Sequence, residues 1–160
     1  MLSIPEMHLS GSHEWSLPPS KSHIIRWLTM ISQSNSTCLI KLNKSPGADV
    51  NSMAECLQEM GVNVERNKDG WLVTPPKQGL SAPNIGLNCG NSGTSARVLS
   101  ALVATMGEKV KLDGDESLRA RSSSLGKILR DLQVHVDSDS LPVIVNGKMK
   151  GGSTVDLSKS

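Results

Sequence analysis

Aromatic residues are nearly absent from this chain of 160 residues, which contains three tryptophans and neither phenylalanine nor tyrosine. A hydrophobic core must therefore be built from Leu, Ile, Val, Met and Ala. The scarcity of aromatic rings also leaves few platforms on which unpaired bases could stack. Together with a formal net charge of only +2, this composition argues against nucleic acid as a partner.

The cysteines are too few and too irregularly spaced for a disulfide framework or a zinc site. Cys38, Cys56 and Cys89 form no C-x-x-C motif and have no histidine at a metal-ligand spacing. The chain also has no run of 18 apolar residues and no signal-like start. We therefore expect reduced thiols, no bound metal, no membrane association and a cytoplasmic location.

What is present fits a globular protein. Apolar residues make up 37% of the chain and charged residues 20%, and the 14 glycines and 8 prolines are spread along it. A chain of this length buries roughly 70% of its unfolded surface. We expect one domain, or most of one.

Hydrophobic periodicity predicts the same order of elements in the two halves of the chain. In the first half it predicts helices at 22–34 and 48–60 and strands at 37–42, 62–64 and 71–74. In the second half it predicts helices at 92–106 and 123–132 and strands at 109–112, 134–136 and 142–145. Arg26 and Arg97 lie 71 residues apart, and Val62 and Val134 lie 72 apart. The pattern predicts an α/β fold made from a duplicated unit.

The first candidate motif surrounds Lys21, at the start of the first predicted helix. Two prolines just before it hold the incoming chain extended, and Ser20 or Ser22 can cap the helix. A helix start presents unpaired N–H groups and a partial positive charge. Ser22 and Arg26 are four residues apart and so share a helix face, where hydroxyl and guanidinium can hold one phosphate or carboxylate.

The second motif, at residues 89–97, begins the helix of the second unit. Gly90 and Gly93 allow the backbone to approach an anion closely, and Arg97 lies four residues after Gly93. Three neighbouring side chains are hydrogen-bond donors: Asn91, Ser92 and Thr94. The stretch matches neither the Walker loop nor G-x-G-x-x-G, so ATP and NAD are not implied.

The third motif, at residues 112–121, is predicted to be a loop between a strand and a helix. It carries Arg119 and Arg121 to the same end of the unit as the first two motifs. Three cationic helix entries that converge in this way predict a site for a small, multiply charged anion.

In their order and spacing, the three motifs resemble those of 5-enolpyruvylshikimate-3-phosphate synthases. The matching stretches are 19–22 with Arg26, 90–94 with Arg97, and 114–121. The resemblance begins near Leu17 and continues to the last residue. It implies an α/β fold of repeated βαβαββ units, like an inverted α/β barrel, which is incomplete here at the C-terminus.

The resemblance also implies an activity. Family members transfer the enolpyruvyl group of phosphoenolpyruvate to the 5-hydroxyl of shikimate 3-phosphate and release phosphate, with no metal or organic cofactor. Lys21 matches a catalytic residue that contacts phosphoenolpyruvate and takes part in proton transfer at its phosphate side. The other matching positions bind substrate: Ser22 and Arg26 at shikimate 3-phosphate, Asn91, Gly93 and Arg121 around phosphoenolpyruvate, Thr94 in the second motif, and Ser160 at the first serine of a phosphate-binding motif.

By the same resemblance, residues 1–13 join the family's other domain, and residues 14–160 form about two repeat units of the first full domain. The family's main acid and base residues match nothing in this chain. We therefore expect the isolated chain to be inactive until a complementary C-terminal chain joins it. Two alternatives remain: a non-catalytic module that binds phosphorylated anions, and part of a UDP-N-acetylglucosamine enolpyruvyl transferase, a related enzyme with a different opening motif.

Overall fold

The computed structural model describes residues 17–122 and 124–155, which form two consecutive α/β units. The first unit contains α1 (Lys21–Ser32), β1 (Cys38–Lys41), α2 (Ala48–Glu59), β2 (Asn63–Asn67) and β3 (Gly70–Thr74). The second contains β4 (Leu87–Asn88), α3 (Gly93–Met106), β5 (Val110–Asp113), α4 (Glu116–Ala120), α5 (Leu125–Asp131), β6 (His135–Val136) and β7 (Val143–Asn146).

The two units repeat the same architecture. Helices α1 and α3 begin 72 residues apart, at Lys21 and Gly93, and β1 and β5 begin 72 apart as well, at Cys38 and Val110. The first sheet has the antiparallel order β1-β3-β2, and the second repeats it as β5-β7-β6 with β4 added parallel to β5. The second unit therefore runs β-α-β-α-β-β when α4 and α5 count as one helical segment. The predicted fold of repeated α/β units is confirmed.

The structure differs from the prediction in the stretch between β5 and α5, where a loop was expected and α4 forms. Asp115 is the N-cap of α4, and its carboxylate accepts a hydrogen bond of 2.8 Å from the Leu118 N–H. The buried Leu118 side chain anchors the helix to the core. Strand β4 was not predicted either, because two residues are too few to show an alternating pattern.

One continuous core joins the two units. Helix α3 lies at its centre and packs against α1, α2, α5, β5 and β7. The most deeply buried side chains are aliphatic or methionine, as the composition predicts, among them Leu28, Met53, Leu57 and Leu99. Trp71 is the one aromatic residue buried in the described part of the chain, and the Arg66 guanidinium lies 4.7 Å from the centre of its ring. No helix in the described residues is long and apolar enough to cross a membrane.

Candidate anion-binding site

Hydrogen bonds bring the N-terminal ends of four helices together. Lys21, the first residue of α1, donates to Asp49 in the first turn of α2, and Ser95 in the first turn of α3 donates to the backbone carbonyl of Asp49. The N–H of Asp115, the N-cap of α4, donates to the carbonyl of Gly90 just before α3. Partial positive charge from the helix ends is therefore concentrated in one region.

The loop before α3 is held rigidly. Ser92 caps the helix by accepting a hydrogen bond from the Ser95 N–H, and the Cys89 N–H donates to the carbonyl of Asp113 at 2.8 Å. Gly90 has φ +56°, and a Cβ there would lie 2.7 Å from the Ser52 hydroxyl oxygen. A side chain at Gly90 would therefore strain the backbone and require the Ser52 hydroxyl to turn away.

A cavity of about 340 Å³ opens where these elements meet. The lining residues are Lys21, Asp49, Asn91, Gly93, Thr94, Arg97 and Arg121. Three of these side chains are cationic at neutral pH and one is anionic, so the cavity has a positive charge balance. It can accommodate a small anion that bears more than one negative charge.

Lys21 and Asp49 form an ion pair at the edge of this cavity. The distance from Lys21 Nζ to Asp49 Oδ2 is 2.7 Å, and the two side chains are 61% and 24% exposed. The more buried carboxylate therefore holds the ammonium group of the more exposed lysine beside the cavity. Only one of the three ammonium hydrogens is used in this pair, so the others can be donated to a bound anion.

Arg121 is fixed by the loop that it faces. Its Nη2 donates to the backbone carbonyl of Asn91 at 2.8 Å and also to the Asn91 side-chain oxygen, while its Nε donates to the Ser117 carbonyl. These contacts orient the guanidinium at the cavity wall before any ligand binds.

Arg119, by contrast, turns away from the cavity. Its Nε and Nη2 bond both carboxylate oxygens of Asp113, at 2.8 and 2.9 Å. The hydrogen bond from Arg119 lowers the pKa of Asp113. Burial acts in the opposite direction, and the Gly114 N–H and the charge of Lys111 lower the pKa further. Arg119 thus stabilises the connection between β5 and α4. Of the two arginines in the third motif, Arg121 lines the cavity and Arg119 does not.

The family model for EPSP synthase, 3-phosphoshikimate 1-carboxyvinyltransferase, matches residues 9–160. The chain belongs to the EPSP synthase family. A 3-phosphoshikimate 1-carboxyvinyltransferase from Thermococcus kodakarensis is 36% identical over 152 residues, which are 92% of this chain and 35% of that protein. The enzyme of the same name from Herpetosiphon aurantiacus is 36% identical over 118 residues, 70% of this chain and 27% of that one.

A solved structure of EPSP synthase from Acinetobacter baumannii resembles this chain with a TM-score of 0.74 at 26% sequence identity. The match covers 85% of this chain and 32% of that one. The chain therefore spans about a third of the length of the EPSP synthases that it matches.

The structure brings together most of the site residues predicted for an EPSP synthase. Five of them line the cavity: Lys21, Asn91, Gly93, Thr94 and Arg121. Ser22 and Arg26 do not line it; the Arg26 guanidinium donates to the hydroxyl and carbonyl oxygens of Ser22 along the exposed side of α1. They share one helix face as predicted, but they bond each other. Ser160 lies outside the described residues.

Sequence reasoning missed Asp49 and left Arg97 without an assigned role. Arg97 stood inside the second motif, and its position one turn after Gly93 was the available signal. Asp49 carried no signal, because it lies 28 residues from Lys21 in an ordinary helical first turn. In the described residues no group of three His, Cys, Asp or Glu side chains is placed to hold a metal ion.

Proposed function

We propose that this chain forms the substrate-holding part of a 3-phosphoshikimate 1-carboxyvinyltransferase, with phosphoenolpyruvate bound in the cavity. The observation that carries the proposal is the convergence of Lys21, Arg97 and Arg121 from three separate elements on one cavity of about 340 Å³. Phosphoenolpyruvate is small and carries a phosphate and a carboxylate, so its charges suit three cations and a helix N-terminus. Ser22 follows Lys21 directly on α1 and Arg26 lies one turn after Ser22, and we propose that these two residues hold shikimate 3-phosphate.

In the proposed reaction the enolpyruvyl group passes to the 5-hydroxyl of shikimate 3-phosphate and phosphate leaves. The methylene carbon of the phosphoenolpyruvate double bond is protonated, and the hydroxyl adds to the adjacent carbon and loses its proton. The tetrahedral adduct then loses a methyl proton and phosphate, which restores the double bond, so the reaction needs a positioned acid and base. The fixed cations reduce the repulsion between two anionic substrates and stabilise charge that shifts toward the leaving phosphate. Lys21, held by Asp49 at the cavity edge, is the residue that we propose moves a proton on the phosphate side.

The carboxylates that the chemistry needs are scarce in the cavity. Asp49 is the only carboxylate among its lining residues, and Lys21 is bound to it. We propose that the remaining acid and base groups come from a further part of the protein, since this chain spans about a third of its relatives' length. In this proposal residues 14–160 belong to one substrate-closing domain, and the chain alone binds anions without turnover. Residues 1–13, which the resemblance assigns to the other domain, lie outside the described residues. The proposed location is the cytoplasm.

Calorimetric titration of the 160-residue chain with phosphoenolpyruvate tests the binding role. We expect Arg121→Gln to weaken binding about 10- to 100-fold, because a hydrogen bond to a charged group contributes about 1.5–3 kcal/mol. The matched control is Arg130→Gln, which removes an exposed arginine on α5 that bonds Asp139 and does not line the cavity. It should leave the affinity unchanged. Equal losses in the two variants would contradict the proposal.

A phosphate-release assay distinguishes the enzyme part from a non-catalytic module. The chain is mixed with a second chain that supplies the remaining two thirds of a family member, and both substrates are added. Release that depends on both chains and falls with Lys21→Met supports the enzyme proposal. A well-folded complex that binds both substrates and releases no phosphate supports the binding module instead.

A further inference from the structure

A second cavity of about 220 Å³ lies beside the anion-binding cavity. It shares Gly93, Arg97 and Arg121 with that cavity. It is therefore a side chamber of the same site, whose mouth is formed by two guanidinium groups and the first residue of α3.

The walls of this side chamber are largely apolar. Ala96, Leu118 and Leu125 are buried, with exposures of 3%, 2% and 8%, and Ile128 is half-buried. They come from α3, α4 and α5, and Ser122 and Ser124 between α4 and α5 complete the lining. Apolar walls of this kind attract apolar groups and gain little from a hydrated anion.

Gly93 lines both cavities and places no side chain there. A Cβ built at this glycine would lie 3.5 Å from Arg97 Nη1, 3.8 Å from Leu118 Cδ1 and 3.9 Å from Arg121 Nη1. The space over the Gly93 α-carbon is thus bordered by two cationic groups on one side and by an apolar wall on the other. A ligand that crosses this point meets both kinds of surface.

From this juxtaposition we infer a subsite for amphipathic anions, whose phosphate, phosphonate or carboxylate head binds Arg97 and Arg121 while a short apolar tail fills the side chamber. The inference rests on the proposed function, because the anionic head of the ligand binds in the cavity proposed for phosphoenolpyruvate. The size suits a phenyl ring, because an apolar cavity of about 150 Å³ already binds benzene. Such a ligand competes with phosphoenolpyruvate for the arginines and gains affinity from a surface that a small polar substrate does not use.

Calorimetric titration of the full chain with methylphosphonate and with phenylphosphonate tests this inference. The two probes have the same head, and only phenylphosphonate has a tail that fills the chamber. We expect phenylphosphonate to bind about 10- to 100-fold more tightly, as expected when an aromatic ring is buried. Addition of phenylphosphonate should also shift the methyl NMR signals of Leu118, Leu125 and Ile128. This measurement uses the unaltered chain.

Ile128→Asn makes one chamber wall polar and should remove the preference for phenylphosphonate, with methylphosphonate affinity unchanged. The matched control is Ile144→Asn, because Ile144 is also half-buried but lies on β7 and lines neither cavity. This variant should keep the preference.

The outcomes separate the two proposals. If methylphosphonate binds and phenylphosphonate binds no more tightly, the subsite is wrong and the proposed function stands. If neither probe nor phosphoenolpyruvate binds, the proposed function fails and the subsite with it. A preference for phenylphosphonate that survives Ile128→Asn and leaves the three methyl signals unshifted also overturns the subsite.

Discussion

The Lys21–Asp49 pair combines a residue with a predicted role and one that carried no sequence signal. The Lys21 side chain is 61% exposed, and exposed ion pairs add little to stability. The pair instead positions Lys21, because the bond to Asp49 restricts a side chain that has four rotatable bonds. Arg121 and Asn91 have a similar relation, with the guanidinium bound to backbone and side-chain oxygens of the loop before α3.

Protonation of Asp113 is coupled to folding. Because Arg119 lowers its pKa in the folded chain, the ionised carboxylate stabilises the fold above the ordinary pKa of about 3.9. That contribution is lost as pH falls through the lowered value. We expect Asp113→Asn to lower the urea midpoint slightly at pH 7, and the difference from the unaltered chain to shrink progressively as pH falls below that ordinary value.

Urea unfolding monitored by circular dichroism across this pH range measures the effect. Asp69→Asn is the control, because Asp69 is an exposed carboxylate on the β2–β3 turn of the first unit. A difference between Asp113→Asn and the unaltered chain that persists in full at low pH would contradict the ionisation argument.

At the scale of elements, α5 depends on a close approach that only glycine permits. The Gly126 N–H donates to the Asp139 carbonyl at 3.0 Å, so this helix lies against the connection between β6 and β7. A Cβ at Gly126 would lie 2.0 Å from the Ser138 carbonyl oxygen and 2.7 Å from the Asp139 α-carbon. Both neighbours are backbone atoms, so one of the two segments would have to move.

We expect Gly126→Ala to lower the free energy of unfolding by about 1–3 kcal/mol, the usual cost of overpacking. Helix propensity alone predicts the opposite sign, since alanine is favoured over glycine in a helix by about 1 kcal/mol. Urea denaturation measures which effect is larger. Lys127→Ala, at the exposed neighbouring position, should stay within about 0.5 kcal/mol. A more stable Gly126→Ala variant would mean that the close approach is absent in solution.

At the scale of the whole molecule, the two repeat units share one core. Helix α3 belongs to the second unit and packs against α1 and α2 of the first. Leu99 is fully buried on α3, in the same cluster as Leu28 and Leu57 from the first unit. Neither unit can lose its packing without exposing apolar surface of the other, so the chain should unfold in a single cooperative transition.

Leu99→Ala should lower the free energy of unfolding by about 2–5 kcal/mol, because it leaves a cavity in the shared core. The tryptophans report on this coupling: Trp27 and Trp71 both lie in the first unit, whereas Leu99 lies in the second. We expect tryptophan fluorescence and far-ultraviolet circular dichroism to shift together in urea.

Leu39→Ala is the matched truncation at an exposed leucine, which is 44% accessible on β1, and it should change stability by less than about 0.5 kcal/mol. Separate fluorescence and dichroism midpoints in Leu99→Ala would show that the two units unfold independently.

The sequence by itself was sufficient to predict the repeated α/β units and most element positions. Periodicity is a local property, so α1, α2 and α3 could be predicted nearly to their ends. The exceptions were β4, which is too short to show a pattern, and α4, whose cap and single buried leucine resemble an ordinary loop. The cationic helix starts were also visible, because caps, glycines and arginines lie close together in the chain.

Only the tertiary structure decided which charges share a cavity. Arg119 and Arg121 are two residues apart and look equivalent in sequence, yet Arg119 bonds Asp113 while Arg121 bonds Asn91 at the cavity wall. Asp49 joins Lys21 across 28 residues, and the apolar side chamber forms between α3, α4 and α5. The physical reason is that such contacts depend on how the two units pack, and that packing reflects the sum of many buried contacts, which no local pattern records.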